Sequence, residues 1–301
     1  MLRTVVSVNG RIDPPEKACV PALDRGFLYG DSVYEVLWWH RGVPVQAREH
    51  MDRLRESARR VYMSIDASDE SLLAALRDAV AATGCGPTDD AYLRLVVTRG
   101  EGPLGLHVVE GLRQNVVIVA GPANRPSPAV RERGFVVALV DRLRISAKAL
   151  DPGAKTGNYL NNLLALHEAE ARGADDAVLL NDRGEVTEGT TSNVYVVAGG
   201  AVSTPPIEAG ILKGTTRNRV LAICGERRIP AHERPLRTTD LLAADEVFLS
   251  SSVRGIIGVA RIDGSPVGEG RPGPITRSIH GWFEAAADAE ADRARSPGRE
   301  P

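Results

Sequence analysis

Apolar residues recur along the chain with two periods, one typical of strands and the other typical of helices. Alternating or short continuous apolar runs predict strands, and apolar residues three and four positions apart predict amphipathic helices. Residues 1–120 predict, in order, two strands, two helices and two more strands, at 4–8, 31–39, 49–62, 68–82, 91–98 and 114–120. Strands that are grouped in this way, rather than alternating with helices, are typical of an α+β domain.

The segment GPANRPSPAV, residues 121–130, is rich in proline and polar residues and predicts a linker. Beyond it, the patterns predict helices at 159–172, from Gly214 onward and around Trp282, with short strands at 134–139, 177–180, 185–187, 193–197, 201–203, 246–249 and 256–259. The tail from about residue 287 is charged and rich in small residues, so we expect it to fray. The predicted organisation is a small domain at 1–121, a linker at 122–130, a larger domain at 131–286 and a frayed tail at 287–301.

Composition excludes several classes of function. No apolar run approaches the roughly 20 residues that span a bilayer, and the N-terminus lacks a signal-peptide core. The formal net charge is −2, and no basic run could follow a nucleic-acid backbone. Three cysteines without a C-x-x-C pair, together with scattered histidines, argue against a disulfide framework and a metal site. We therefore expect a cytoplasmic protein that acts on small molecules.

Lysine is rare, which restricts the candidates for an amine nucleophile. Of the four lysines, Lys155 lies in DPGAKTGNYLNN, between glycines and just before a predicted helix. A lysine amine can form an imine with an aldehyde cofactor and then exchange it for a substrate amine. Lys213, in GILKGTTRN, has similar local features. A solvated loop lysine is the alternative interpretation of either position.

Other segments contain the groups that a phosphorylated pyridine cofactor would need. Glu188, in VTEGTTSN, could keep a pyridine nitrogen protonated. Thr215 and Thr216 open a predicted helix, whose free N–H groups and dipole favour phosphate. The run 250–252 supplies three serine hydroxyls, and Arg53 could supply a bidentate charge. Taken singly, these are a turn carboxylate, helix caps and an exposed helical arginine.

Taken in order, these segments resemble the class IV aminotransferases. The motifs DRGFLYGDSVYEV, EHMDRL, KTGNYLNN, VTEGTTSN and ADEVFLSSS carry the resemblance, which extends from about residue 8 to about residue 285. This family of fold-type IV pyridoxal-phosphate enzymes includes branched-chain aminotransferases, D-amino-acid aminotransferases and aminodeoxychorismate lyases. The resemblance implies a small α+β domain, a larger barrel-like α/β domain and a cofactor between them. It also implies a homodimer in which a loop of the partner subunit completes the active site.

The resemblance further implies roles for individual residues. Lys155 would carry pyridoxal 5′-phosphate as a Schiff base and act as the general acid and base. Glu188 would pair with the pyridine nitrogen, Tyr159 would lie near the phenolic oxygen, and Leu212 would pack against the ring. Hydroxyls and one arginine would hold the phosphate, namely Arg53, Thr215, Thr216 and Ser252. Ser251 would also be among the residues that bind the cofactor. Two half-reactions between an amino acid and a 2-oxo acid, with ping-pong kinetics, would follow.

The segments that set specificity in this family are mixed in character. In the strand VYEVLWW, alternation places Tyr34, Val36 and Trp38 on one face. The Y-E-V triplet resembles D-amino-acid aminotransferases, whereas KTGNYLNN resembles the branched-chain group. The loop near residues 100–108 reads TRGEGPLGLH, with Leu104 where D-amino-acid enzymes usually place an arginine and His107 displaced by one position.

Arg94 is a candidate substitute for the missing loop arginine. It lies in the predicted strand AYLRLVV among apolar residues, where an arginine either reaches outward to solvent or binds an anion. We expect Arg94, with Arg25 or His107, to bind a substrate carboxylate. The resulting hypothesis is a transaminase that leans towards D-amino acids.

Alternatives remain within this class and outside it. Branched-chain L-amino acids or (R)-amines are the competing substrates of a transaminase. An aminodeoxychorismate lyase would use the same lysine for another reaction. A non-catalytic cofactor-binding protein is disfavoured, because Lys155 and Glu188 are both present.

Overall fold

The computed structural model describes residues 2–107 and 111–295. Contacts between Cα atoms divide the chain into two compact units. The first unit contains the chain up to Asn124, the segment Ala154–Asn158 and the chain from Ala287 onward. The second contains Arg125–Gly153 and Tyr159–Ala286. The predicted domain limits give 154–158 to the C-terminal domain, whereas this segment clusters with the N-terminal part of the chain. No helix in the described ranges has the length and apolarity needed to cross a membrane.

The first unit is built on an antiparallel sheet. Among the described residues it has the strand order β2-β1-β6-β5-β3-β4, with β1 Val5–Val8, β2 Arg11–Asp13, β3 Ser32–His40, β4 Val43–Pro44, β5 Asp90–Thr98 and β6 Val116–Pro122. The strands predicted in this half are confirmed to within a few residues. The longest, β3 and β5, pair over their whole lengths, from Ser32 opposite Thr98 to His40 opposite Asp90.

One face of this sheet packs against two helices, α2 (Ala47–Arg60) and α3 (Asp69–Thr83). Met51 and Leu54 on α2 are at most 1% exposed, and Leu76 on α3 is fully buried. Burying a side chain of this size contributes about 1.5–3 kcal/mol. The Ser68 side chain accepts a hydrogen bond from the Ser71 N–H and caps α3, as the sequence predicts. A five-residue helix, α1 (Arg25–Tyr29), precedes β3.

The chain from 287 to 295 corrects the prediction of a frayed tail. The last helix, α8, runs over Pro274–Arg295, and Ala291 within it is fully buried. Asp288 accepts a hydrogen bond from Arg41 Nη1 (2.8 Å) and lies 2.9 Å from Nε2 of His40. These partners lie at the far end of β3 and were not visible from the composition of the tail. Residues 296–301 lie outside the described part of the chain.

The second unit is built on a closed ring of strands. Hydrogen-bonded neighbours run β10-β13-β14-β7-β8-β9, and β9 pairs again with β10, where Glu188 lies opposite Asn193. The strands described in this unit are β7 Phe135–Leu139, β8 Asp176–Leu180, β9 Val186–Gly189, β10 Asn193–Ala198, β11 Ala201–Thr204, β12 Ala231–Glu233, β13 Glu246–Ser251, β14 Gly255–Ile262 and β15 Ser265–Pro266. A sheet closed in this way is a barrel, as the resemblance implies.

The second unit also contains helices, which lie before, between and after its strands in the sequence. Those described are α4 Pro128–Arg133, α5 Leu160–Ala171, α6 Thr215–Glu226, α7 Thr238–Leu242 and the first part of α8. The predicted helices at 159–172 and after Gly214 are confirmed. The predicted linker is only partly correct, because β6 extends to Pro122 and α4 begins at Pro128. Ser127 caps α4 and Pro128 fits its first turn, where the missing N–H has no cost.

Candidate active site

The backbone around Lys155 is held against β3. Its N–H donates to Ser57 Oγ (3.1 Å), and its carbonyl accepts from the Tyr34 N–H (3.0 Å). Val33 and the buried Thr156 form an isolated antiparallel bridge one residue further on. The glycine at 157 is required here, since a Cβ would lie 2.4 Å from a serine oxygen of β3. The lysine therefore leaves a fixed backbone rather than a mobile loop.

The side chain of Lys155 lies against Tyr34. Its Nζ donates to the tyrosine hydroxyl (3.3 Å) and lies 4.4 Å from the centre of the ring. The guanidinium carbon of Arg94 lies 3.9 Å from the same ring centre. Both cations are attracted to the negative face of the ring. The structure thus brings together three of the residues that the sequence singled out.

Arg94 differs from most arginines of the chain in having no anionic partner in the described ranges. It is half-buried on β5, and its guanidinium makes no hydrogen bond or ion pair with any described residue. On the same face of the sheet, Val36 lies directly opposite it, with Tyr34 and Trp38 on either side. A half-buried guanidinium in apolar and aromatic surroundings is suited to an incoming anion.

Arg53 is held by a buried carboxylate that sequence reasoning missed. Its Nε and Nη2 each donate to one oxygen of Glu35 at 2.7 Å, and His50 Nδ1 lies 2.6 Å from Oε2. Glu35 is fully buried and His50 is 1% exposed. Burial alone would raise the pKa of Glu35, but Arg53 and His50 outweigh it and lower the pKa to about 2. Burial lowers the pKa of His50 despite its contact with Glu35.

Arg25 and His107 belong to a different cluster from Arg94. The buried Arg25 donates from Nε to Asp31 (3.0 Å) and from Nη1 to the backbone carbonyls of Gly105 (3.1 Å) and His107 (3.3 Å). Burial raises the pKa of Asp31, but Arg99 and Arg25 outweigh it, so that the pKa is lowered. In this structure Arg25 holds the loop after β5, and the His107 side chain is exposed. Residue 108 of the predicted specificity loop lies outside the described chain.

In the second unit, Glu188 is 6% exposed at the end of β9. Its Oε1 lies 2.9 Å from Nη2 of Arg144, and its Oε2 accepts from the Leu212 N–H (3.0 Å) and from Asn193 Nδ2 (3.5 Å). An arginine and two N–H donors are partners suited to an ionised carboxylate. Arg144 was not predicted, because its partner lies in a distant segment of the chain that its own segment, RLRIS, does not reveal.

The beginning of α6 has the features of a phosphate site. Gly214 occupies the N-cap without a side chain, so the first N–H groups of the helix have no side-chain cap there. Thr215 and Thr216 are 3% and 2% exposed, and Thr216 Oγ1 is buried without a hydrogen-bond partner among the described residues. A Cβ at Gly214 would lie 2.1 Å from Asn193 Oδ1. A helix N-terminus without a side-chain cap and a buried hydroxyl without a partner among the described residues together fit a phosphate group.

The remaining predicted residues lie on the same barrel unit. Ser251 ends β13 and accepts from Arg254 Nε (3.4 Å), and Ser252 follows it, half-buried. Tyr159 is the N-cap residue of α5. Lys213, the competing lysine, has an exposed side chain before α6.

A family model described as "Amino-transferase class IV" matches residues 32–262, more than half of the chain. The chain belongs to the class IV aminotransferases. This aminotransferase is 35% identical over 279 residues to a putative branched-chain-amino-acid aminotransferase of Methanocaldococcus jannaschii, covering 93% of this chain and 95% of that protein. It is 34% identical over 274 residues to the D-alanine aminotransferase of Bacillus licheniformis, covering 91% and 94%.

The fold of this aminotransferase is also that of solved family members. The branched-chain amino acid aminotransferase of Thermobaculum terrenum, crystallised in its PLP form, superposes with a TM-score of 0.84 at 28% identity, over 96% of this chain and 95% of that one. The resemblance read from the motifs, the enzyme class and the fold-type IV architecture are therefore confirmed. The roles of individual site residues stay predictions.

Proposed function

We propose that this aminotransferase binds pyridoxal 5′-phosphate and transfers an amino group between an amino acid and a 2-oxo acid, with a preference for D-amino acids. The observation that carries the proposal is the arrangement of Lys155, Tyr34 and Arg94. A lysine amine, and an arginine without an anionic partner among the described residues, lie against the same buried ring. An amine that reacts at Cα, next to a cation that binds a carboxylate, fits an α-amino acid better than an amine lacking the carboxylate.

Each unit, taken by itself, contains residues that we assign to the cofactor. Lys155 would bind it through Nζ, and Glu188 would keep its ring nitrogen protonated. The phosphate would lie against the N–H groups of α6 with Thr215, Thr216 and the serines at 251 and 252, and Arg53 would add charge. The buried Thr216 hydroxyl, which has no hydrogen-bond partner among the described residues, supports this assignment. When bound, pyridoxal phosphate supplies a sink for the electrons left at Cα after a proton departs.

The chain's own part in the reaction is to orient groups and move a proton. Arg94 would bind the substrate carboxylate and thereby orient the Cα–H bond. Lys155 Nζ would take the proton from the substrate's Cα and hold it for return later in the same half-reaction. Glu188 is already held by Arg144 and two N–H donors, so it would need little reorganisation to face a positive ring nitrogen.

The preference for D-amino acids rests on the strand containing Tyr34 and on its Y-E-V triplet. Branched-chain L-amino acids are the competing substrates, and relatives of both kinds match the chain almost equally well. We also expect a cytoplasmic homodimer with shared active sites, and sedimentation of the purified protein would test the dimer.

The visible spectrum of the purified protein tests the cofactor and the lysine. Wild-type protein incubated with pyridoxal phosphate should show the absorption band of lysine-bound cofactor. Borohydride reduction and peptide mapping should then find the cofactor on Lys155. Lys155→Ala should lose this attachment, whereas Lys213→Ala, which removes the exposed competing lysine, should behave as wild type. A band that survives in Lys155→Ala as the same species would refute the assignment.

Adding substrates separately to the same protein tests specificity. D-alanine should convert the bound cofactor to its aminated form. If L-leucine does so and D-alanine does not, the enzyme acts on branched-chain L-amino acids and the preference proposed here is wrong. Conversion by (R)-phenylethylamine alone would contradict a role for Arg94 as carboxylate ligand.

A further inference from the structure

Tyr34 contacts both of the cations that the proposed reaction uses. Its hydroxyl accepts from Lys155 Nζ at 3.3 Å, and its ring lies beneath the guanidinium of Arg94 at 3.9 Å. We propose that Tyr34 is a positioning residue, whose hydroxyl holds the amino group of Lys155 in the position needed for proton transfer. Its ring keeps the carboxylate-binding arginine beside that amino group. This inference rests on the proposed function and adds a role that neither substrate binding nor packing requires.

The position of the hydroxyl is fixed by the fold. Tyr34 is 2% exposed on β3, which pairs with β5 over its whole length, so its ring has little room to turn. Its own N–H donates to the carbonyl of Lys155 at 3.0 Å. The two residues are therefore tied at the backbone as well as at the ends of their side chains. A phenol held in this way presents its oxygen at one place.

A free lysine amine needs such a constraint. The four-carbon stem of Lys155 carries a compact ammonium or amine with about 2 kcal/mol of rotamer entropy. Once the substrate amine has displaced it, the amino group must stay near Cα to accept the proton. A hydrogen bond to a fixed oxygen limits the rotamers that it visits. In this step the phenol accepts a hydrogen bond and neither gains nor loses a proton, so only Lys155 changes its protonation.

The ring has a second and separable role. Arg94 and Lys155 carry like charges, and the distance between them cannot exceed the sum of their distances to the ring centre. The negative face of the ring offsets part of this repulsion. Removing only the hydroxyl leaves the ring in place for both cations. The phenylalanine variant therefore isolates the hydrogen bond to Lys155.

The chain offers a matched control. Tyr92 lies on β5, on the same sheet face, opposite Trp38. Its side chain is half-buried, and its hydroxyl makes no hydrogen bond with any described residue. Tyr92→Phe therefore removes the same atom from the same surface without touching Lys155.

The experiment compares Tyr34→Phe with Tyr92→Phe and wild type in four readouts. These are the thermal midpoint, the rate at which cofactor-free protein takes up pyridoxal phosphate, kcat and KM, and the isotope effect with substrate deuterated at Cα. For Tyr34→Phe we expect an unchanged midpoint and uptake slowed several-fold. A misplaced reacting group costs up to about 100-fold, so we expect kcat to fall about 10- to 100-fold. The isotope effect should rise, because proton transfer then limits the rate, while KM should change little.

The outcomes separate this inference from the proposed function. If wild-type protein neither binds pyridoxal phosphate nor transaminates, the proposed function fails. If wild type is active but Tyr34→Phe matches Tyr92→Phe in uptake, kcat and isotope effect, the positioning role alone is overturned. A fall in activity with an unchanged isotope effect, or a rise confined to KM, would also overturn it, because the hydroxyl would then serve stability or substrate binding.

Discussion

Replacing Arg94 with methionine would remove a guanidinium from beside Lys155 and leave an apolar stem of similar length. The stem lies among Val36, Tyr34 and Trp38, so methionine should pack there without creating a cavity. Because Arg94 has no ion pair or hydrogen bond among the described residues, its loss leaves no buried carboxylate unpaired. We therefore expect the variant to fold normally, and any defect should report on the substrate.

The size of the defect follows from the interaction that is lost. Hydrogen bonds to charged groups contribute about 1.5–3 kcal/mol, and a half-buried arginine that binds a carboxylate with two N–H groups lies in that range. Since about 1.4 kcal/mol corresponds to a factor of ten, kcat/KM should fall roughly 10- to 150-fold. The carboxylate is bound before and during the reaction, so most of the loss should appear in KM. Arg94→Lys should lose less, because it keeps the charge but not the planar fork.

The assay measures kcat and KM for an amino acid and for a 2-oxo acid, with Arg77→Ala as the control. Arg77 is an exposed arginine on α3 of the same unit and has no hydrogen bond or ion pair with any described residue. The control should match wild type in all four constants. Michaelis constants unchanged in Arg94→Met for both classes of substrate would refute the assignment of Arg94 as carboxylate ligand.

Two further predictions concern residues beside the groups assigned to the phosphate, namely Gly214, which precedes Thr215, and Glu35, which pairs with Arg53. Gly214→Ala should weaken pyridoxal phosphate binding at least tenfold, because its Cβ would lie 2.1 Å from Asn193 Oδ1. The control Gly225→Ala, which has open space around it in the same helix, should leave cofactor binding unchanged and stabilise the protein by about 0.5–1 kcal/mol. Equal cofactor affinities of the two variants by titration would contradict the steric argument. Burial raises the pKa of Glu35, but Arg53 and His50 outweigh it and lower the pKa to about 2, so the stabilisation from Glu35 is complete above pH 4.5 and is lost as the pH falls towards 2, by about 3 kcal/mol. Urea unfolding at pH 6 to pH 2 should show a shallower loss for Glu35→Gln than for wild type, and parallel curves would refute this.

Periodicity and cap chemistry predicted most of the fold, because they are local properties. The helices α2 and α3 and the strands β3 and β5 each have an apolar pattern that matches the faces buried in the structure. Gly214 and the threonines that follow it marked the beginning of α6 in the same way. Errors arose where the partners are distant. The tail helix is stabilised by residues some 250 positions earlier in the chain, which no local pattern reveals.

The same difference between local features and distant contacts applies to the candidate site. Lys155, Glu188 and Thr216 were identified by motif, since their chemistry is visible in single side chains. The pairing of Arg144 with Glu188 was missed, because it depends on how two distant segments of the chain fold together. The hydrogen bonds from Arg25 to the carbonyls of Gly105 and His107 were also not predicted, because they depend on the conformation of the loop after β5.

Adjacent residues of β3 show why one dipeptide carries so much of the proposed chemistry. Strand alternation sends Tyr34 to the face that bears Arg94 and the side chain of Lys155, and sends Glu35 to the opposite face, against α2. There Glu35 holds Arg53, which we assign to the phosphate. A shift of register by one residue would exchange the two faces and place a carboxylate beside the lysine and a phenol beside Arg53. The full-length pairing of β3 with β5 excludes that shift. The register of one strand pair therefore sets the positions of both the proposed reacting amine and the proposed phosphate ligand, which ties the proposed specificity of this enzyme to the same strand that orders its core.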